Sequence, residues 1–178
     1  MRSKRMIWNQ AERFFKGWLL FFLIFPYVQA QPPVNDDLCS AQSLSFSANT
    51  YASGTNTNAT TLPADPVGTT WIGGTKSHTT WYYFTAPSSG NVTVTTDYPG
   101  GILTDPQVAV FSTSDGSCSG ILTEVGSNDD INAPTNTRAA VTLTSLTAGA
   151  RYYIEVDGYS TLTGTFGIKV HDGGQILT

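Results

Sequence analysis

The sequence predicts an all-β protein, an antiparallel, jelly-roll-like β-sandwich of about eight strands. Stretches of five to seven residues, rich in β-branched and aromatic side chains, are separated by turns that contain Gly, Pro or Asp. After the first thirty residues, no stretch of ten or more residues has the apolar spacing of an amphipathic helix. Strands with one apolar side are stabilised when two sheets pack face to face, because each buried apolar side chain contributes about 1.5–3 kcal/mol.

The clearest strand signals lie on either side of a short turn, and together they predict a β-hairpin. Trp81–Thr85 is aromatic and β-rich, Ala86–Gly90 is a cluster of turn residues, and Asn91–Thr96 alternates Val with Thr. Val92 and Val94 therefore point to one face and the threonines to the other. Trp81 is predicted to lie in the core.

The other elements follow the same logic along the chain. Pro63–Gly74 is predicted to be mostly loop, and Gly126–Pro134 is the most polar loop. A turn at Thr147–Gly149 predicts a second hairpin between its flanking strands. The remaining strands are predicted at Leu44–Phe46, Gln107–Ser112, Ile121–Val125, Ala140–Leu146, Arg151–Asp157 and Thr165–Val170. Thr50–Thr61 is predicted to be either another strand or an irregular edge.

Residues 1–30 predict a signal peptide that is removed after Ala30. A basic head precedes the apolar run Trp18–Phe25, and small residues follow at the cleavage site. An uncleaved membrane anchor is the alternative, but a spanning helix needs about 20 apolar residues and Pro26 ends this run early. Export implies a secreted, cell-surface or periplasmic protein. The rest divides into a polar lead-in (31–37), one β-sandwich domain (38–172) and a tail (173–178).

Removal of the leader leaves an acidic protein. The leader carries five of the nine Lys and Arg residues and one of the thirteen Asp and Glu residues, so four basic and twelve acidic side chains remain, a net charge of −8. An acidic surface repels nucleic-acid phosphates and anionic lipids. We therefore expect no nucleic-acid partner and, after signal cleavage, no membrane partner, whereas a cation is favoured.

Cys39 and Cys118 are the two cysteines, and both follow the predicted cleavage site. In an oxidising compartment we expect them to form a disulfide, with two separate thiols as the alternative. Two cysteines without a neighbouring histidine are too few for a zinc site.

A series of motifs resembles one known family, the bacterial pre-peptidase C-terminal domain, over residues 35–170. The motifs are, in order, Asn35-Asp36 with Cys39 and Ala41; Trp81-Tyr82-x-Phe84-Thr85-Ala86-Pro87 with Gly90 and Val92-x-Val94; Asp105 before Val108-Ala109-Val110-Phe111; Cys118; Asn128-Asp129-Asp130; and Ala148-Gly149-x-x-Tyr152-Tyr153-Ile154-x-Val156-Asp157-Gly158-Tyr159 with Gly164-x-Phe166. The resemblance implies a jelly-roll-like β-sandwich, export and no catalysis of its own. Some members of this family bind calcium or attach to collagen or polysaccharide, so the resemblance also implies that this chain could do either.

A calcium-binding site is the most specific site that the sequence predicts. The ion takes six to eight oxygen ligands, which carboxylates, amide side chains and carbonyls supply. The candidate ligands are Asn35, Asp36, Asp65, Asn128, Asp129 and Asp130. The resemblance implies a role for the first two, which stand where calcium-binding members have their Asn-Asp pair. The alternative is that these side chains cap their own turns.

Trp71, Tyr98 and Tyr159 are candidate ligand-binding residues, since all three fall in predicted loops where a ring could stack on a sugar or an apolar side chain. Alternatively, such rings fold back as lids over the sandwich. His78 and His171 lie in no recognisable catalytic motif, and we expect no enzyme.

The function predicted is a secreted, non-catalytic module that binds an extracellular protein or polysaccharide and that calcium stabilises. One alternative is a structural or secretion-associated spacer domain of a larger exported protein. Another is a hydrolase with an unrecognised site.

Overall fold

The computed structural model describes residues 30–173. Residues 1–29 of the predicted signal peptide and residues 174–178 of the predicted tail lie outside the described residues. Within residues 30–173, no helix is long and apolar enough to cross a membrane.

The regular secondary structure of residues 30–173 consists of nine strands and one short 3₁₀ turn, Leu38–Ser40. The strands are β1 (Gln42–Ser43), β2 (Ala52–Thr55), β3 (Thr80–Thr85), β4 (Val92–Thr95), β5 (Pro106–Thr113), β6 (Leu122–Asn128), β7 (Ala140–Leu143), β8 (Arg151–Gly158) and β9 (Thr165–Asp172). They form a five-stranded sheet in the order β1-β3-β8-β5-β6 and a four-stranded sheet in the order β2-β9-β4-β7. The predicted all-β sandwich is confirmed, with one more strand than expected. Neighbouring strands are antiparallel except β1 and β3, which run parallel over two residues.

The core between the sheets is built from the apolar faces that alternation predicted. Val92 and Val94 on β4 are fully buried, whereas Thr93 between them is only half-buried. The buried side chains that other strands contribute to this core include Tyr82, Phe84, Val108, Val110, Val141, Leu143, Tyr152, Ile154, Val156, Phe166, Ile168 and Val170. Removing this apolar surface from water stabilises the sandwich.

Both predicted hairpins are wrong, because the strands on either side of each turn lie in different sheets. β3 pairs with β1 and β8, whereas β4 pairs with β7 and β9. β7 and β8 are separated in the same way. Alternation shows which face of a strand is buried but not which strand lies beside it. A five-residue connection can fold back, or it can cross the roughly 10 Å between facing sheets.

The two crossing connections hydrogen-bond to each other. The amide of Ala86 donates to the carbonyl of Ala150 (2.9 Å), and the amide of Leu146 donates to the carbonyl of Gly90 (2.9 Å). Gly90 has φ +66°, and a Cβ there would lie 2.7 Å from the carbonyl oxygen of Leu146. The predicted turn residue Gly90 is therefore needed for the crossing rather than for a hairpin.

A left-handed backbone conformation costs a residue with a side chain about 1–2 kcal/mol. Replacing Gly90 with Ala is expected to destabilise the protein by more than this, because the new Cβ also overlaps the backbone oxygen of Leu146. Gly116→Ala is the matched control, since Gly116 has φ +74° and open space around it. Urea unfolding measures both losses. Equal losses would contradict the close crossing.

The segment between β2 and β3 covers the outer face of the five-stranded sheet and forms a partial third layer. Trp71 from this segment is 4% exposed, and its Nε1 donates to the carbonyl of Val108 (3.2 Å). It packs in a second cluster with residues of the sheet, namely Trp81, Ala109, Phe111 and Tyr153. The core position predicted for Trp81 is thus confirmed. Of the two interpretations given for Trp71, the structure agrees with the ring that folds back over the sandwich and not with an exposed ring.

The predicted disulfide between Cys39 and Cys118 is confirmed, with an S–S distance of 2.08 Å. It joins the 3₁₀ turn before β1 to the loop between β5 and β6. The N-terminal segment is thereby tied to a strand pair 79 residues away in sequence.

Candidate functional site

Three aspartates from two loops meet at one end of the sandwich, here called the loop end. Asp105 directly precedes β5, and Asp129 and Asp130 directly follow β6. Because β5 and β6 are antiparallel neighbours, the start of one lies beside the end of the other. Each of the three offers a carboxylate oxygen within 4.8 Å of the other two. We call Asp105, Asp129 and Asp130 the acidic cluster.

The acidic cluster contains oxygens that no donor satisfies. Asp129 is 4% exposed; its Oδ2 accepts a hydrogen bond from the amide of Ile72 (2.8 Å). Its Oδ1 is buried and has no hydrogen-bond partner within residues 30–173, and the same holds for Oδ1 of Asp105 and of Asp130. A buried carboxylate oxygen without a partner is costly, so the cluster is incomplete as a purely structural arrangement.

The electrostatics of the cluster are unfavourable for three negative charges. Burial, and then the carboxylates of Asp130 and Asp129, raise the pKa of Asp105 to about 6. Burial and then Asp129 raise the pKa of Asp130 as well. Like charges at short range disfavour ionisation, and a cation between them would reverse the effect.

Gln107 adds a second feature at the same place. It is the second residue of β5, two residues after Asp105 in sequence, and pairs with Asp157 on β8. Continuing the register by one step beyond the pair Val108–Asn128 places Gln107 across from Asp129. Gln107 is fully buried, and neither atom of its amide has a hydrogen-bond partner in the described part of the chain.

The sequence candidates for calcium separate into two groups in the structure. Asp129 and Asp130 belong to the acidic cluster. Asn128 does not offer it a free atom: its Nδ2 donates to the carbonyl of Asp130 (3.1 Å) and its Oδ1 accepts from the amide of Ala140 (3.0 Å). Asn128 therefore holds the backbone of the loop.

The other candidates, Asn35, Asp36 and Asp65, brace the N-terminal segment and the outer layer. Nδ2 of Asn35 donates to the carbonyl of Trp81 (2.9 Å). The two oxygens of Asp36 accept from the amide and the hydroxyl of Thr60, both at 2.6 Å. Oδ2 of Asp65 accepts from the amide of Leu62 (2.7 Å) and the hydroxyl of Thr79 (3.0 Å). These contacts are those of side chains that secure turns.

Five exposed apolar residues lie on loops at the same end of the sandwich as the acidic cluster, and we call them the apolar rim. Their exposed fractions run from 39% to 72%. They are Ile72, Ile102, Ile131, Tyr159 and Leu162. The amide of Ile72 binds Asp129, Ile131 follows Asp130, and the amide of Tyr159 donates to the carbonyl of Asp105 (2.9 Å). Three of the five rim residues are therefore joined directly to residues of the cluster through their backbones.

The remaining aromatic candidates differ in position. Tyr98 is half-buried, packs against the backbone of Gly167, and its ring centroid lies 5.2 Å from that of Tyr51. Tyr159 is 39% exposed in the apolar rim. Of the three aromatic candidates, Tyr159 is the ring that the fold places at the exposed loop end.

A further acid, Glu155, is buried on the outer face of β8 and lies opposite Trp81 on β3 and Ala109 on β5. Neither carboxylate oxygen has a hydrogen-bond partner within residues 30–173. Burial raises the pKa of Glu155 well above its ordinary value, and the carboxylates of Asp65 and Asp157 add to the effect.

A serine, a histidine and an aspartate also come together, but not as a catalytic triad. Oγ of Ser77 lies 2.9 Å from Nδ1 of His78. The carboxylate of Asp157 accepts hydrogen bonds from the backbone amides of Ser77, His78 and Gly158. In a triad the acid instead orients the imidazole ring.

Sequence reasoning missed Asp105 and Gln107 as site residues and missed the apolar rim. The strands Gln107–Ser112 and Ile121–Val125 were both predicted, and pairing them as neighbours would have placed Asp105 beside Asp129. The rim had no such signal, because its members come from four separate loops.

No protein-family model matches the chain, and no curated protein is a significant match. Solved structures that are similar to it include the following two. One is described as CorA, a surface-associated copper-binding protein important in copper acquisition in Methylomicrobium album BG8. The two sequences are 12% identical, the match covers 74% of this chain and 98% of that chain, and the TM-score is 0.47. The other is the pre-peptidase C-terminal domain of a collagenase from Bacillus anthracis. The two sequences are 17% identical, the match covers 73% of this chain and 93% of that chain, and the TM-score is 0.39. The family that the motifs resemble is thus also among these structures, while the fold assignment rests on the strand order described above.

Proposed function

We propose that this chain is an exported, non-catalytic binding module that attaches to an extracellular protein through the apolar rim. The rim is the observation that carries the proposal. Half of the ten large apolar side chains that are exposed in residues 30–173 belong to it. Exposed apolar residues that cluster and are surrounded by polar groups mark interaction surfaces more often than scattered ones do.

The chemistry of the rim favours a protein over a polysaccharide. Four of its five members are the aliphatic residues Ile72, Ile102, Ile131 and Leu162, which fit the apolar side chains of a protein partner. A sugar ring is better matched by flat aromatic faces. Trp71 is buried and Tyr98 packs on Gly167, which leaves Tyr159 as the aromatic member of the rim.

Export is supported by the disulfide between Cys39 and Cys118, because such bonds persist in oxidising compartments and are rare in the cytosol. The net charge of −8 after leader removal argues against a nucleic-acid or anionic-membrane partner. Both features agree with a module that acts outside the cell.

Collagen is the protein partner that the resemblance to the pre-peptidase C-terminal domain implies. The expected result is therefore retention of the protein on insoluble collagen, with affinity reduced about tenfold or more by Ile102→Ser combined with Ile131→Ser. A tenfold loss corresponds to about 1.4 kcal/mol, the order expected when two exposed anchors are truncated. Ile121→Ser is the matched control. Ile121 is 77% exposed but lies in the loop between β5 and β6, at the other end of that strand pair.

Cosedimentation with collagen, cellulose, chitin and phosphatidylcholine vesicles distinguishes the possible partners. Retention on collagen that the rim variant loses and the Ile121 variant keeps supports the proposal. Binding to cellulose, chitin or vesicles without binding to collagen overturns it. Absence of retention on all four also overturns it and favours a spacer domain.

A further inference from the structure

We propose that Asp105, Asp129 and Asp130 bind one divalent cation of the calcium class at the loop end. The site differs from the Asn35-Asp36 pair that the family resemblance implied. Among residues 30–173, the Oδ1 atom of each of its three aspartates lacks a hydrogen-bond donor, whereas both carboxylate oxygens of Asp36 accept hydrogen bonds from Thr60. The proposal is independent of the partner proposed for the apolar rim.

The first argument is geometric. Three carboxylate oxygens lie within 4.8 Å of one another, a spacing that one ion in contact with all three produces. The oxygens come from two loops that the pairing of β5 and β6 brings together. Their Oδ1 atoms have no hydrogen-bond partner in the described chain, although the neighbouring backbone groups are bonded.

The second argument is the burial of polar groups at the same place. The carboxylate of Asp129 is almost completely buried and keeps one oxygen without a partner, and Gln107 across from it is fully buried with both amide atoms unpartnered among residues 30–173. Buried polar groups are nearly always satisfied in folded proteins. A bound cation would satisfy the carboxylates, and the amide oxygen of Gln107 is available as a neutral ligand.

The donor set selects the class of ion. It consists of oxygen atoms alone, without histidine or cysteine, which suits a hard cation rather than zinc or copper. Asp105 and Asp130 are partly exposed, so water can complete the six to eight ligands that calcium takes. Ligands from two loops also suit the flexible geometry of calcium better than the strict octahedron of magnesium.

Binding of the ion would fix the loops that carry the apolar rim. Asp129 binds the amide of Ile72, the carbonyl of Asp105 binds the amide of Tyr159, and Asp130 precedes Ile131. A cation held by the three aspartates therefore joins the loops before β3, before β5, after β6 and after β8.

The purified protein is treated with chelator, dialysed, and followed by thermal unfolding and calorimetric titration with calcium chloride. We expect one ion per chain, with a dissociation constant on the order of 10⁻⁴–10⁻³ M as in other extracellular modules. At a hundredfold excess over that constant, the unfolding midpoint should rise by about 5–10 °C. Magnesium chloride should give a smaller rise.

Asp130→Asn separates a metal site from a structural acidic cluster. Without calcium the variant should unfold at a higher temperature than the original protein, because one of three repelling charges is gone. With calcium the order should reverse, since the variant loses at least tenfold in affinity. Asp129→Asn should lose the calcium response as well, whereas Asp36→Asn should retain it.

Absence of a calcium response in the original protein would overturn the proposal. So would a response that Asp36→Asn abolishes and Asp130→Asn keeps, which would place the ion at the N-terminal group. Collagen retention is measured separately, so failure of the metal site and failure of the proposed function give different results.

Discussion

Replacing Cys39 and Cys118 together with Ser is expected to lower the free energy of unfolding by about 4.5 kcal/mol. The bond links residues 79 apart in sequence, and in the chain-entropy model a closed loop of that length restricts the unfolded chain by roughly this amount. The loss is a large part of the 5–15 kcal/mol that stabilises an ordinary domain. Urea unfolding at fixed calcium concentration measures it.

Reductant provides the control for this experiment. It should lower the urea midpoint of the original protein towards that of the double Ser variant and leave the variant unchanged. A double variant as stable as the oxidised protein would show that the N-terminal turn and the β5–β6 loop are held together by their packing alone.

Replacing Glu155 with Gln is expected to change how stability depends on pH. In the folded protein the pKa of Glu155 is raised well above its ordinary value of 4.5, so the folded state keeps a proton that the unfolded state loses. The stability that this group supplies is complete below about pH 4.5 and decreases as the pH rises towards the folded pKa. One proton corresponds to about 1.4 kcal/mol per pH unit.

The amide side chain that Glu155→Gln introduces is neutral at every pH, so the variant should become more stable relative to the original protein as the pH rises above about 4.5. Urea unfolding of both chelator-treated proteins at a series of pH values measures the difference, in which the other titrating groups cancel. Asp37→Asn is the control, because Asp37 is exposed and its side chain makes no capping hydrogen bond. Parallel pH profiles for Glu155→Gln and the original protein would contradict the buried, unpartnered carboxyl group.

The sequence specified the inner faces of the strands but not their neighbours. Val92 and Val94 are buried as alternation requires, since the side chains of a strand point alternately to its two faces. The crossing at Ala86–Gly90 could not be distinguished from a hairpin turn, because turn residues occur in both. The antiparallel partner of β3 is β8, which begins at Arg151, and that pairing depends on how both sheets pack.

The outer layer was the least predictable part. Trp71 lies in a stretch rich in Gly and Pro, which indicates a loop, and nothing local shows that its ring inserts over Ala109 and Phe111. The sandwich has an apolar outer face on its five-stranded sheet, and a covering segment is needed to bury it. An apolar residue such as Phe111 on the outer face of a strand was the available signal.

The candidate site was predicted in part. The polar loop after β6 supplied Asp129 and Asp130, which the structure brings together, whereas Asp105 required the register of β5 against β6. Isolated Asp residues in turns carry no sequence signal for a shared site. Their unpartnered oxygens become apparent once the strands are assembled.

Hydrogen–deuterium exchange with calcium and with chelator tests most directly whether the loop end is where the ion binds and orders the apolar rim. Calcium should slow amide exchange in residues 129–139 and 159–164 and at Ile72, and should leave residues 33–41 and 56–66 unchanged. Protection confined to residues 33–41 and 56–66, or no difference between the two conditions, would contradict a functional loop end organised by a cation.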